Sequence, residues 1–321
     1  MDLPSSVGPP AGPDRPPPAG PDRPAPAGPD RPPAAGPGPT PAAGPDATPA
    51  ASVDLTLAAG LGSTRAAGWA PLFAPLAILT GFAGAIFGGA IIELLAALGG
   101  ASLTNPPPGV ELLATLLQDV LLVASAVFFA ARVTRPRPED FGLRAAPIVW
   151  ALVLMAGAYV AFLLFTAVWE AALNLNDTEH VVQTLGANNG PIALVCVVAL
   201  TCVVAPICEE FFFRGFFFAA LVNWRGPWQA AAVTAVVFGA IHAGSAPVGD
   251  LVPLAFFGFT LCLVRWRSGS LYPCIALHAI NNCVAFGVSE HWHAQIAVLL
   301  ICVALGIGAT LATVARVAPA Q

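Results

Sequence analysis

Ionisable side chains lie inside the most apolar stretches of the chain, where each one is costly to bury and is a candidate functional group. They fall into three short motifs, EExxxR, FxxxH and HxxxN, in that order along the sequence. A carboxylate beside two imidazoles and an amide is a set that can activate water for attack on a carbonyl group. The motif residues are Glu209, Glu210, Arg214, Phe238, His242, His278 and Asn282.

Helical geometry separates the roles within these motifs. Glu210 and Arg214 are four residues apart, so they share one helix face and are expected to form a structural ion pair. Glu209 is turned about 100° away from Glu210, which leaves it free to act as a general base. His278 and Asn282 are also four residues apart, so both can face the developing oxyanion of a peptide carbonyl.

The same side chains fit two kinds of hydrolysis. In the first, His242 helps to hold a water molecule that the carboxylate of Glu209 activates. In the second, Glu209, His242 and His278 bind a divalent metal such as zinc, which activates the water. The HExxH signature of one class of zinc protease is absent. The sequence leaves both the metal-bound and the metal-free mechanism open.

Three further acidic residues lie inside apolar stretches. Glu93 and Glu111 are near the expected outer ends of their helices, where a carboxylate can reach the membrane interface. Asp119 lies deeper, next to Gln118. We expect Asp119 to be paired, because an isolated buried charge is costly.

The composition is that of a polytopic membrane protein. Of the 321 residues, 57 % are apolar and only 10 % are charged, and the mean hydropathy is +0.76, whereas soluble domains carry roughly a quarter charged residues. One bilayer crossing takes about 20 apolar residues, so the pattern predicts an all-α bundle of about eight transmembrane helices. The predicted spans are roughly 71–99, 110–132, 146–169, 191–222, 228–243, 248–266, 271–288 and 293–315.

Basic residues predict the orientation of this bundle. All 13 are arginines, and they fall on the side of the membrane that holds the N-terminal segment, whereas the opposite loops carry acidic residues and no arginine. The positive-inside rule then predicts a multi-pass protein of the cell membrane with both termini in the cytoplasm. No feature of the sequence indicates binding to nucleic acid.

Residues 1–68 differ in composition from the rest of the chain. Because this Pro-, Ala- and Gly-rich segment can bury little apolar surface, we expect a disordered cytoplasmic tail. The membrane-embedded domain is predicted at 69–316, with its motif core at 190–290. Octapeptide-like units related to AGPDRPPP start at Ala11, Ala19, Ala27, Ala35 and Ala43.

At the three motifs the chain resembles the CPBP family, the CAAX-protease and bacteriocin-processing group that is also called Abi. The run APICEEFFFRG at 205–215 is very similar to the family's first motif. The FxxxH and HxxxN motifs follow in the family's order, and SGSLYP at 268–273 leads to His278 as in the family. The resemblance covers about 190–290, is weaker over the earlier spans and is absent from the tail.

The resemblance implies an eight-helix intramembrane metalloendopeptidase, related to the type II CAAX prenyl endopeptidases that remove a C-terminal tripeptide after a prenylated cysteine. It implies a peptide or membrane-associated protein as substrate, a lipid environment, and either a bound metal or a water activated by glutamate alone. The implied catalytic residues are Glu209, His242, His278 and Asn282, and the implied supporting residues are Glu210, Arg214 and Phe238.

Two other functions stay open at this point. A non-catalytic membrane scaffold or bacteriocin-immunity protein would use the polar cluster only as part of its structure. A transporter would use it as a proton relay. Transporters of many folds carry paired repeats with broken helices in both halves, whereas this chain predicts a single kink, at Pro206, with no duplicate.

Overall fold

The computed structural model describes residues 68–174 and 185–317, and it describes side chains up to residue 308. Within these ranges the chain is helical and contains no strand, which confirms the all-α class. The predicted tail at 1–68 lies outside the described residues except for Gly68.

Helices occupy the positions of the predicted spans. Prolines begin α2 and α4, because a proline in the first helical turn loses no hydrogen bond, and Gly269 in a left-handed conformation (φ 67°) ends α7. In chain order the helices are α1 (Phe73–Leu98), α2 (Pro108–Ala130), α3 (Ile148–Leu173), α4 (Pro191–Ala199), α5 (Ala205–Glu210), α6 (Phe218–Ile241), α7 (Leu251–Ser268), α8 (Tyr272–Ser289) and α9 (Ala294–Val317).

Helices α4, α5 and α6 form one continuous run, Pro191–Ile241, with π-helical turns at Leu200–Val204 and Phe211–Phe217. The first π-helical turn ends just before Pro206, whose missing N–H disturbs the regular hydrogen-bond ladder at the predicted kink. Gly226 has φ 78° and ψ 177° and breaks α6 into two arms. The break coincides with the boundary predicted between the fourth and fifth spans.

Large apolar side chains cover the outer faces of the first three helices. Leu79, Phe87 and Ile148 are exposed by 65 %, 73 % and 70 %, and an apolar surface of this extent is stable against lipid rather than water. Among the described residues, five helices are long and apolar enough to cross a membrane, the run Pro191–Ile241 counting as one. The chain is therefore built as an all-α membrane protein.

Several loops meet at one end of the bundle. Arg144 Nε donates to the carbonyl oxygen of Gly269 at 2.7 Å, the rings of Trp69 and Phe141 lie 5.0 Å apart, and Asn223 Nδ2 donates to the carbonyl oxygen of Trp69. We call this the arginine end, because its loops and adjoining helix termini carry Arg132, Arg135, Arg137, Arg144, Arg225, Arg265 and Arg267.

Phenylalanine side chains fill the centre of the bundle. Phe212, Phe213, Phe216 and Phe238 are completely buried, and Phe257 is 1 % exposed. They come from the π-helical turn after α5, from α6 and from α7, so these elements share one core. The motif side chains lie against this core, which fixes their positions more firmly than a surface loop would.

Candidate active site

Glu210 and Arg214 form the buried ion pair that their spacing predicts. Arg214 Nη1 donates to Glu210 Oε1 at 2.7 Å, and both side chains are completely buried. Arg214 Nη2 donates to the carbonyl oxygen of Gly258 on α7, and the guanidinium carbon lies 4.4 Å from the ring centre of Phe238. Removing one partner of such a pair leaves an uncompensated buried charge, which costs about 3–5 kcal/mol.

His278 is held by the same carboxylate. Its Nδ1 lies 2.9 Å from Glu210 Oε1, and since a carboxylate at this bond accepts, Nδ1 carries the proton. The rings of Phe238 and Phe257 each contact the imidazole edge-on, with ring centres 5.8 Å away. These contacts fix the orientation of His278 and leave Nε2 as its second functional nitrogen.

His242 follows the last residue of α6. Its Nδ1 donates to the carbonyl oxygen of Phe238 at 2.7 Å, because a carbonyl oxygen can only accept, and Nε2 is again the remaining nitrogen. The carbonyl group of His242 accepts bonds from the amides of Ser245 and Ala246 in the turn that follows. Phe238 therefore contacts both imidazoles. Its backbone and ring contact His242, and its ring contacts His278.

Asn282 connects α8 to the first π-helical turn. Its Nδ2 donates to the carbonyl oxygen of Thr201 at 2.9 Å. The amide keeps a second N–H and its Oδ1 for other partners. Nδ1 of His278 faces Glu210 and one N–H of Asn282 faces Thr201, so the convergence of these two side chains on one point stays a prediction for their remaining polar atoms.

Glu209 is the acid of the first motif that faces a cavity. It is half-buried, and its Oε2 is inaccessible and has no hydrogen-bond partner among the described residues. A buried carboxylate oxygen without a partner is unfavourable, and Oε2 of Glu210 and Nε of Arg214 are unpartnered in the same way. Glu209 lines a cavity of about 520 Å³ together with Phe238, His242, His278 and Asn282.

The structure thereby divides the predicted residues into two groups. Glu210 and Arg214 lie behind the cavity wall, whereas Glu209 and both histidines line it. The adjacent acids of the first motif face different partners, as the turn of about 100° between successive helical residues predicts.

Two contributors to the site have no signal in the sequence, and a third residue, Asp119, differs from its expected role. Thr201 and Gly258 act through backbone carbonyl groups, which leave no side-chain signal. Asp119 was expected to be paired, but its Oδ2 has no hydrogen-bond partner among the described residues. Asp119 is 1 % exposed and interacts electrostatically with Glu209, so the buried acid lies near the cavity rather than in an ion pair of its own.

The two histidines are oriented as metal ligands often are, with Nδ1 donating to a carboxylate or carbonyl and Nε2 left over. The other requirement, a convergent donor set, is not met. Within the described ranges, no three His, Cys, Asp or Glu side chains form a group that could hold a metal ion. The arrangement supplies a general base and hydrogen-bonding groups.

One comparison with known proteins bears on this site. Residues 191–284 match the family model described as type II CAAX prenyl endopeptidase, Rce1-like. No curated protein and no solved structure matches the chain. The matched segment contains all three motifs and every motif residue that lines the cavity. The match indicates a protease and confirms that the chain, over 191–284, is similar to the CAAX endopeptidases of the CPBP family.

Proposed function

We propose that the protein is an intramembrane endopeptidase that hydrolyses peptide bonds of peptides or membrane-associated proteins. The observation that carries this proposal is that the half-buried Glu209 lines one cavity with His242, His278 and Asn282. The family match over 191–284 supports it independently. A carboxylate that lines a cavity beside fixed hydrogen-bonding groups is suited to take a proton from a bound water.

The reaction follows from these groups. Glu209 accepts a proton from water while the water oxygen adds to the scissile carbonyl carbon, and Nε2 of His242 accepts the second water O–H. The free N–H of Asn282 donates to the resulting oxyanion, and His278 donates as well when its Nε2 is protonated. Glu209 then gives its proton to the amine nitrogen as the C–N bond breaks, which releases one carboxyl and one amino terminus.

The orientation that we propose rests on charge. The arginine end would face the cytoplasm, since basic loops are retained on that side. The long helices with apolar outer faces support integration into the cell membrane. Both termini would then be cytoplasmic, because α1 begins and α9 ends on the arginine side.

The proposal is tested with Glu209→Gln in the purified full-length protein, which keeps the side-chain size and removes the base. Quenched fluorescent peptide pools report cleavage, and mass spectrometry identifies the new termini. We expect a loss of about 10²–10⁴-fold in kcat with an unchanged melting temperature. Glu139→Gln is the control, because Glu139 is an exposed acid at the arginine end.

Equal cleavage by wild type and a folded Glu209→Gln variant would reject the proposal. If, in addition, the cells keep the protein's normal function, the buried Glu210, Arg214 and His278 network would be structural. A non-catalytic scaffold or immunity protein would then be the better description.

A further inference from the structure

A groove between α1 and α2 adjoins the catalytic cavity. It has a volume of about 430 Å³, and small residues such as Gly89 and Ala114 line its floor. Thr115 and Gln118 line both this groove and the catalytic cavity. The two spaces therefore lie on either side of the same polar side chains, so the groove is next to the cavity of Glu209.

The groove and the cavity open at the end of the bundle opposite the arginine end. The cavity wall includes residues 243–245, which follow α6, and Ser289, the last residue of α8. Trp169 Nε1, near the end of α3, donates to the carbonyl oxygen of Gly249 in the same region. Each of these helices has its other terminus near the arginine end, so this cavity opens at the opposite membrane face.

The groove carries negative charge. Glu93 and Glu111 line it, each half-buried, and neither forms an ion pair with any described residue. Two carboxylates in partly desolvated surroundings attract a cation more strongly than they would in water. The other described acids of this end, such as Glu170 and Asp250, strengthen the contrast with the arginine end.

We propose that substrates reach the site from the extracytoplasmic side through the groove between α1 and α2, as peptide segments that place a basic residue between Glu93 and Glu111. This inference rests on the proposed function and adds the side of access and the substrate class. An apolar groove floor favours apolar neighbours of the basic residue. The expected substrates are exported peptides or extracytoplasmic segments of membrane proteins.

Thiol labelling in cells tests the side of access without any need for catalysis. Ser245→Cys places a thiol at the cavity mouth, and Glu139→Cys places one at the arginine end. A membrane-impermeant maleimide should label Ser245→Cys in intact cells, and Glu139→Cys only after the membrane is opened. The wild-type protein is the control for labelling of its own cysteines, because Cys196 and Cys302 are exposed. The reverse pattern would overturn the inference.

Cleavage kinetics test the substrate class. The probes are two quenched peptide pools that are alike except that one carries a Lys where the other carries a Met. For wild type we expect KM for the Lys pool to be about fivefold lower than KM for the Met pool. Two partly exposed charge contacts provide a binding free energy of this size. Glu93→Gln/Glu111→Gln should abolish this difference in KM, whereas Glu170→Gln, outside the groove, should preserve it.

The outcomes separate this inference from the proposed function. Cleavage with the same KM for both pools in wild type and the double variant would overturn the groove assignment and leave the endopeptidase intact. Cleavage of neither pool by wild type, at the level of Glu209→Gln, would instead reject the proposed function. The labelling result then decides alone whether the cavity opens at the outer face.

Discussion

Nδ1 of His278 lies 2.9 Å from Oε1 of Glu210, the oxygen that also accepts the bond from Arg214. The second acid of the EExxxR motif is therefore the centre of a buried network that joins α8 to the end of α5. Because Glu210 compensates the guanidinium and orients the imidazole, the neighbouring Glu209 is left without either partner. Glu210 thus belongs to the buried network, whereas the adjacent Glu209 lines the cavity.

The first prediction concerns this network. Glu210→Gln leaves the Arg214 charge buried without its counter-ion, so we expect a loss of about 3–5 kcal/mol in the free energy of unfolding. Glu210→Gln/Arg214→Met removes both charges and should be more stable than the single variant. Thermal unfolding in detergent measures both. The single variant Arg214→Met completes the comparison, and a double variant whose loss equals the sum of the two single losses would show that the charges do not depend on each other.

The ion pair was predictable because both partners lie on one helix, four residues apart. The Gly226 break was predictable for a similar reason, since the Gly-Pro step itself carries the information. The partner of His278 was not, because α8 is 68 residues further along the chain than Glu210. Which of two adjacent acids faces α8 depends on the rotation of packed helices, and local spacing does not determine it.

The second prediction concerns Gly258, which belongs to none of the three motifs. A Cβ atom there would lie 3.0 Å from Cδ1 of Phe238 and 3.3 Å from Nη2 of Arg214. Gly258→Ala should therefore push Phe238 toward the histidines, lower the stability by about 1–3 kcal/mol and reduce kcat. Gly157→Ala is the matched control, because a Cβ atom on Gly157 meets nothing within 4 Å.

Thermal unfolding and peptide cleavage of both glycine variants decide this prediction. The control should be neutral or gain about 0.5–1 kcal/mol, as a glycine-to-alanine change in an unobstructed helix does. Equal behaviour of Gly258→Ala and Gly157→Ala would show that the packing around Phe238 has room to adjust.

The third prediction separates anchoring from catalysis at Asn282. Asn282→Ala loses the bond to the Thr201 carbonyl group, which should cost about 1 kcal/mol, and it also removes the proposed oxyanion donor. Asn223→Ala loses a similar amide-to-carbonyl bond, to Trp69 at the arginine end. We expect both variants to lose stability, but only Asn282→Ala to lose about 10²-fold or more in kcat. Equal kcat values would limit Asn282 to a structural role.

Asp119 and Asn282 show which contacts of the site cannot be predicted from the sequence. A polar residue in an apolar helix signals that a partner or a cavity is near, and this signal marked Asp119 correctly as unusual. It did not distinguish an ion pair from an unpartnered acid near Glu209, because α2 and α5 meet only through tertiary packing. The carbonyl group that binds Asn282 has no side-chain signature at all.

The last prediction concerns a metal. Glu209, His242 and His278 line one cavity, yet no three donor side chains of the described residues converge as a metal-binding group. We therefore expect protein dialysed against EDTA to keep its cleavage rate and to contain no stoichiometric zinc by elemental analysis. The same sample supplied with zinc is the control, and His242→Ala tests whether any bound metal needs this histidine. Zinc that wild type binds stoichiometrically and needs for cleavage, and that His242→Ala no longer binds by elemental analysis, would contradict this prediction and make His242 a ligand, because such a pattern requires the metal in the reaction rather than Glu209 alone.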